Sequence, residues 1–200
     1  MKSLSISFTL GKASSGNANI AHNNRDMIAG NVDINRICDN VDYVQQNVED
    51  AYKELFSESV AEYNLKQKQP CRRIHDYYNH IANGHREEPY YEVVVQFGCM
   101  KSSPVGSDNG EVVKQLLDEY MKSFQQRNPN LHVFSAHLHM DESSPHLHID
   151  FVPFYSKNRQ KGLSKGVSMK AALHEMGFTA KKYRQWFRGT RSLFCRNSQN

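Results

Sequence analysis

The chain has 200 residues, 38% of them hydrophobic, with 25 Lys and Arg against 21 Asp and Glu and a mean hydropathy of −0.71. That length and apolar content are enough for one substantial core, so a single domain over 1–200 is expected. No apolar run approaches the roughly twenty residues of a membrane-spanning helix. The opening MKSLSISFTL alternates and does not form a signal peptide's continuous apolar stretch, and Cys38, Cys71, Cys99 and Cys195 are too scattered for a paired zinc site or a disulfide framework. A protein of the bacterial cytoplasm is expected.

In chain order, SISFTL (5–10) reads as a short strand. Apolar positions 48, 52, 55, 56, 60 and 63 predict a long amphipathic helix ending before Pro70, and Ile74, Tyr77, Tyr78 and Ile81 a shorter one ending at Gly84. Residues 90–99 read as a buried strand and 101–110 as a polar loop. Asp108 with Glu111 resembles a capping box, opening a helix whose face is Val113, Leu116, Leu117, Tyr120, Met121 and Phe124 and which stops at Asn128-Pro129. Residues 131–139 and 146–154 are two strands joined by the turn signal DESSP. Ser168 is placed as the cap of a helix reaching Gly177, and Thr179 as the cap of a basic helix beyond it. Together these predict an α+β fold: an antiparallel sheet of about five strands with the site on one face and helices on the other. Four strands are clear, and the fifth is expected within 11–40.

The charge is unevenly spread. Residues 1–156 hold 14 basic against 20 acidic residues, whereas 157–200 hold 11 basic residues against Glu175 alone. Lys157, Arg159, Lys161 and Lys165 lie in a Gly-containing basic loop. Lys181, Lys182, Arg184, Arg188 and Arg191 are interleaved with Tyr183, Trp186 and Phe187. This end is the candidate DNA surface, since cations neutralise phosphates and aromatics stack on unpaired bases. The spacing of Tyr183, Trp186, Phe187 and Thr190 equally fits a helix whose aromatics face the core and whose charges face outward.

The densest chemistry lies in HLHMDESSPHLHIDFVP (137–153). Strand side chains alternate between faces, so His137 and His139 share one face of the first strand, and His146 and His148 one face of the second. Converging imidazoles suit a divalent ion, and a three-His site with an open position suits catalysis better than structure. His137 is as readily structural as functional. Asp141 could be a solvent-facing turn residue, and Asp150 either a partner of the ligands or an ordinary strand carboxylate.

The run His139-x-Asp141-Glu142-x-x-Pro145-His146-x-His148, followed by Pro153, resembles the metal-binding motif of the MobV relaxases, plasmid mobilisation proteins of the HUH endonuclease superfamily. His22-Asn23-Asn24-Arg25 resembles the H-N-x-R motif of the same family. Residues 31–43 are similar to a family segment ending in a tyrosine, here Tyr43, although Cys38-Asp39 stands where Thr-His is more usual. The resemblance spans roughly 1–176. It implies an HUH-type sheet and a nickase that cuts single-stranded DNA at a transfer origin, with an adjacent origin hairpin as part of the substrate. His22 would be the nucleophile, giving a 5′-phosphoramidate, and Tyr43 is the competing nucleophile or a phenol bonding to the site. Arg25 would bind the scissile phosphate, Glu142 would orient a ligand histidine or hold the His22 proton, and His139, His146 and His148 would bind the metal.

The resemblance points to Mn2+ or Mg2+, while the ligand set would also accept Zn2+, Ni2+ or Co2+. Since relaxase domains usually begin longer proteins, a C-terminal region for dimerisation or membrane contact is expected beyond Asn200. Two other readings stay open at this point: a metal-dependent nuclease that activates water without a covalent intermediate, and a DNA-binding module whose metal is structural.

Overall fold

The computed structural model describes residues 5–84, 86–156, 162–178 and Trp186. Among the described residues there are six strands: β1 (Ile6–Lys12), β2 (Val41–Gln45), β3 (Tyr91–Phe97), β4 (Leu131–His139), β5 (His146–Ser156) and β6 (Lys165–Val167). The first five form an antiparallel sheet in the order β1-β3-β5-β4-β2, and β6 pairs with the far end of β5. The two histidine strands are therefore central, which explains the burial of both their faces. The fifth strand lies at 41–45, just outside the interval expected for it. The sixth falls in the stretch read as a basic loop, where three residues offered too little periodicity to register.

The helices are α1 (Ile20–Asn23), α2 (Val48–Leu65), α3 (Tyr77–Ala82), α4 (Asp108–Lys122), α5 (Phe124–Arg127) and α6 (Met169–Glu175). Both long helices fall where the apolar spacing predicts. The cap of α4 is Ser107, one residue before the expected Asp108, and its hydroxyl accepts the Gly110 N–H at 3.1 Å. Ser168 caps α6 as expected, accepting the Ala171 N–H.

The two faces of the sheet carry separate cores. On one, Val93, Val95, Leu138, Leu147 and Ile149 pack against Val113, Leu117 and Phe124 of α4 and α5, Leu173 of α6, and Trp186. On the other, Phe134 and Val152 pack against Ala51, Tyr52 and Phe56 of α2, with Tyr77 of α3 alongside. The second cluster covers only the end of β4 and β5 distant from their connecting turn. Nearer the turn, that same face carries His137, His139, His146, His148 and Asp150, with α1 lying over it.

Candidate active site

Register brings the histidines together. His139 pairs with His146 and His137 with His148 across β4 and β5, so the period-two reading holds, and all four share a face. The rings of His139, His146 and His148 lie 4.6 to 5.3 Å apart between centroids. His22 comes down from α1, its ring 5.8 Å from those of His139 and His148.

Each of the three strand histidines has one ring nitrogen tied to an oxygen. His139 Nε2 donates to the Asn23 carbonyl at 2.9 Å, His146 Nδ1 to the Ser144 carbonyl at 2.9 Å, and His148 Nδ1 to Glu92. An oxygen acceptor fixes the proton on the bonded nitrogen and leaves the other with its lone pair bare. His139 Nδ1 and His148 Nε2 are buried and have no hydrogen-bond partner. Burial, with the neighbouring imidazoles, pushes His139 down to about 2 and holds His148 well below the usual range, so neither carries the proton that would block a ligand. Orphaned, neutral, converging nitrogens are the donor set a divalent ion fits. Ligand atoms within 4.8 Å of one another form two overlapping sets, His22 with His139 and His148, and His139 with Glu142 and His146. His139 belongs to both.

Arg25, expected at the scissile phosphate, is held by carboxylates beside His22. Its guanidinium is almost fully buried and clamped by carboxylates: Nε donates to Asp141 Oδ2 at 2.8 Å, and Nη2 to Asp141 Oδ1 and, at 2.9 Å, to Glu142 Oε1. Burial opposes the charge, but the hydrogen bonds donated to Asp141 and Glu142, with the carboxylate charges, outweigh it and hold the Arg25 pKa above its ordinary value. Nη1 remains turned toward the site, 3.3 Å from His22 Nε2. Arg25 has φ of 60°, the only non-glycine residue in the left-handed region among those described.

Asp141 is not a solvent-facing turn residue. It is fully buried, and besides Arg25 it accepts from Asn40 Nδ2 at 2.7 Å. Glu142 lies among the imidazoles, with Oε1 3.4 Å from His22 Nε2 and 3.7 Å from His146 Nε2, while Oε2 accepts from Asn31 at 2.7 Å.

Tyr43 is not brought to the histidines. It packs against the helix-side core, and its hydroxyl donates to Asp118 of α4 at 2.9 Å. Burial and that carboxylate raise its pKa. His137 has both nitrogens engaged, Nδ1 with Asp42 at 2.7 Å and Nε2 with Ser135 at 3.0 Å, which leaves none for a metal.

Of the basic candidates, Lys165 alone is described. Its ammonium lies 4.5 Å above the Phe154 ring, and its backbone is pinned by Ser59 of α2. It pairs with Ser156, eight residues along β5 from His148, roughly 26 Å away at strand rise. Lys157, Arg159, Lys161, Lys181, Lys182, Arg184, Arg188 and Arg191 lie outside the described residues.

Sequence reasoning missed Glu92, which is buried in β3 across from Asp150 and holds His148. It also passed over Asn23, whose amide donates to Glu92 at 3.0 Å and to Asp150 at 2.9 Å. A signal for Glu92 was present: in YEVVVQF, Glu92 and Gln96 share a face, and one carboxylate in an otherwise apolar strand demands a partner. Burial and the adjacent Glu92 push Asp150 up to about 8.

No curated protein sequence matches the chain. Among solved structures, it is similar to the MobM relaxase domain (MOBV; Mob_Pre) bound to plasmid pMV158 oriT DNA of 22 nucleotides, a Mn-bound crystal structure at pH 5.5. The TM-score is 0.52 and the identity 16%, over 83% of this chain and 75% of that one. A second structure of that domain and DNA, at pH 4.6, aligns with a TM-score of 0.46 and 16% identity over 86% and 77%. The first likeness supports the antiparallel fold. The family profile described as plasmid recombination enzyme, Mob_Pre, matches residues 15–187, and the chain belongs to that family.

Proposed function

We propose that the chain is a metal-dependent, site- and strand-specific DNA nickase and strand transferase, which cuts single-stranded DNA at a transfer origin through a covalent link to His22. The observation that carries this reading is the placement of His22. It is a partly exposed imidazole facing two buried, bare imidazole nitrogens, with Arg25 Nη1 and Glu142 beside it. A nucleophile next to a phosphate-binding group needs this arrangement.

In the proposed reaction, a lone pair of the His22 ring forms the N–P bond as the P–O3′ bond breaks. Glu142, 3.4 Å from Nε2, takes the imidazole proton and passes it to the departing 3′ oxygen, which leaves as a hydroxyl. Arg25 offers its Nη1 edge, which also donates to the His22 carbonyl at 3.1 Å, to the phosphate while Asp141 fixes the guanidinium plane. His139, His146 and His148 would hold a divalent ion, Mn2+ or Mg2+, which supplies Lewis-acid polarisation of a non-bridging phosphate oxygen. The phosphoramidate keeps the energy of the broken bond, so attack by a 3′ hydroxyl reverses the cut. The relatives' Mn-bound, oriT-bound state supports the same substrate class.

One observation favours a second reading. His22 lies in a ligand set with His139 and His148. A His22 that ligates is not a nucleophile, and the reaction would then be hydrolysis without an adduct. The test is a denaturing-gel trap of protein-linked 5′ ends, using DNA from upstream of the protein's own gene, with Mn2+ or EDTA. An acid-labile adduct that needs Mn2+, vanishes in His22→Ala and persists in Tyr43→Phe is expected. Metal-dependent cleavage with no adduct would establish the hydrolytic reading instead.

A further inference from the structure

The buried polar groups around the histidines converge on one residue. Asn23 is 1% exposed and sits at the end of α1, next to His22. Its carbonyl oxygen accepts from His139 Nε2 at 2.9 Å, which leaves His139 Nδ1 bare. Its side-chain amide donates to Glu92 Oε1 at 3.0 Å and to Asp150 Oδ2 at 2.9 Å. Glu92 in turn accepts from His148 Nδ1, which leaves His148 Nε2 bare.

The amide orientation is dictated. Nδ2 lies between two carboxyl groups that face each other across β3 and β5, and the opposite flip would set the amide oxygen against two carboxyl groups that share at most one proton. Asn23 Oδ1 is buried without a partner, so the two donor contacts are what hold the side chain. A single residue thus reaches one ligand histidine through its backbone, a second through Glu92, and the candidate nucleophile through the peptide bond.

We infer that Asn23 is a positioning residue that sets the ion site and His22 as one unit. The statement about His22 rests on the nickase reading, while the statement about the ion site does not. Serine, alanine or aspartate at this position would break the unit for different reasons. The first two cannot span both carboxyl groups, and aspartate would add a third acceptor among them.

The test is titration calorimetry of Mn2+ into the metal-free full chain, together with single-turnover nicking of an origin oligonucleotide as Mn2+ is raised to saturation. The proteins are wild type, Asn23→Ala, Glu92→Gln, Asn23→Asp, and the swapped pair Asn23→Asp with Asp150→Asn. Asn23→Ala is expected to bind Mn2+ about 10- to 100-fold more weakly, the usual effect of removing a group that orients ligands. At saturating Mn2+ its nicking rate is expected to remain about 100-fold below wild type, as for a misplaced nucleophile. Glu92→Gln is expected to show the weaker isotherm with a rate loss that narrows as Mn2+ rises. The swapped pair returns an amide to the carboxyl cluster from the other strand, and it is expected to bind Mn2+ more tightly than Asn23→Asp alone.

A wild-type isotherm for Asn23→Ala would overturn the inference, as would a wild-type rate for it at saturating Mn2+. If Asn23→Ala does not fold by circular dichroism, failure of the swapped pair to recover Mn2+ affinity over Asn23→Asp overturns it. Wild-type protein that binds Mn2+ but does not nick would remove the nickase reading and leave the calorimetric comparison intact.

Discussion

Replacing Asp141 with Asn tests the internal clamp most directly. Asp141 is fully buried and takes two hydrogen bonds from Arg25 and one from Asn40, while its carbonyl accepts the Asp33 N–H at 2.7 Å. Removing one partner of a buried ion pair costs about 3 to 5 kcal/mol, because the other charge is left uncompensated. Here Glu142 still holds Arg25 Nη2 at 2.9 Å, which places Asp141→Asn at the lower end, about 3 kcal/mol. For a chain of this size the loss corresponds to roughly 6 to 12 °C in Tm.

The pH dependence supplies an independent check. Burial alone would raise the Asp141 carboxyl, but the hydrogen bonds from Arg25 and Asn40 and the guanidinium charge hold it below the ordinary value. A depressed carboxyl contributes stability that is present above its unfolded pKa and lost as pH falls through the folded one. The gap between wild type and Asp141→Asn in urea denaturation is therefore expected to be full at neutral pH and to narrow below about pH 4. A difference under about 1 kcal/mol at neutral pH would refute the clamp as a stabilising element, since surface ion pairs already reach that value.

Tyr43→Phe is expected to cost about 1 kcal/mol through loss of the Asp118 hydrogen bond and to leave the covalent adduct in place, so loss of the adduct in this variant would refute the assignment to His22. Mn2+ at about 100 times its Kd is expected to stabilise the chain by about 2.7 kcal/mol, seen as a rise in Tm that EDTA reverses, and His139→Ala should abolish the rise. In metal-free protein, Asp150 raised to about 8 means the folded state keeps a proton that the unfolded chain releases near 3.8, so stability is full below that value and falls as pH climbs through 8. His139, lowered to about 2, acts in the opposite sense, with stability full above 6.5 and lost as pH falls below it. Asp150→Asn should flatten the fall of the denaturation midpoint between about pH 4 and about pH 8, and an unchanged fall would show that Asp150 does not hold the proton.

Period-two alternation was enough to place four histidines on one face of two paired strands, and helical spacing was enough to place α2 and α4. Both are local rules, and both hold here because β4 and β5 are central and regular near their turn. The same rule says nothing dependable of Tyr43, because a register shift between Asp42 and Val44 interrupts the alternation there. The place of Asp141 stayed open for another reason. Its partner, Arg25, is 116 residues away, and turn composition favours exposure until that partner is known. Glu92 and Asn23 stayed hidden because second-layer contacts join three separate segments, and no spacing rule links them.

On the proposed reading, charge explains why these contacts would surround an ion. Arg25 is one cation facing Asp141 and Glu142, and Glu92 with Asp150 forms a carboxyl pair that holds one proton below about pH 8. With the imidazoles neutral as ligands, the described site carries two net negative charges. On the nickase reading that site must receive a phosphodiester, another anion, and Arg25 already has most of its donors committed to carboxylates. A divalent ion on the histidines would bring the site to neutrality and give the phosphate a positive centre besides the carboxylate-committed guanidinium of Arg25. Arg25 then serves less as the main source of charge than as a rigid edge, held by Asp141 at a strained φ that costs on the order of 1 to 3 kcal/mol and aimed at the ring of His22. The acidic shell fixes geometry, the ion would supply charge, and the division accounts for a phosphate-handling site built mostly from carboxylates and neutral histidines.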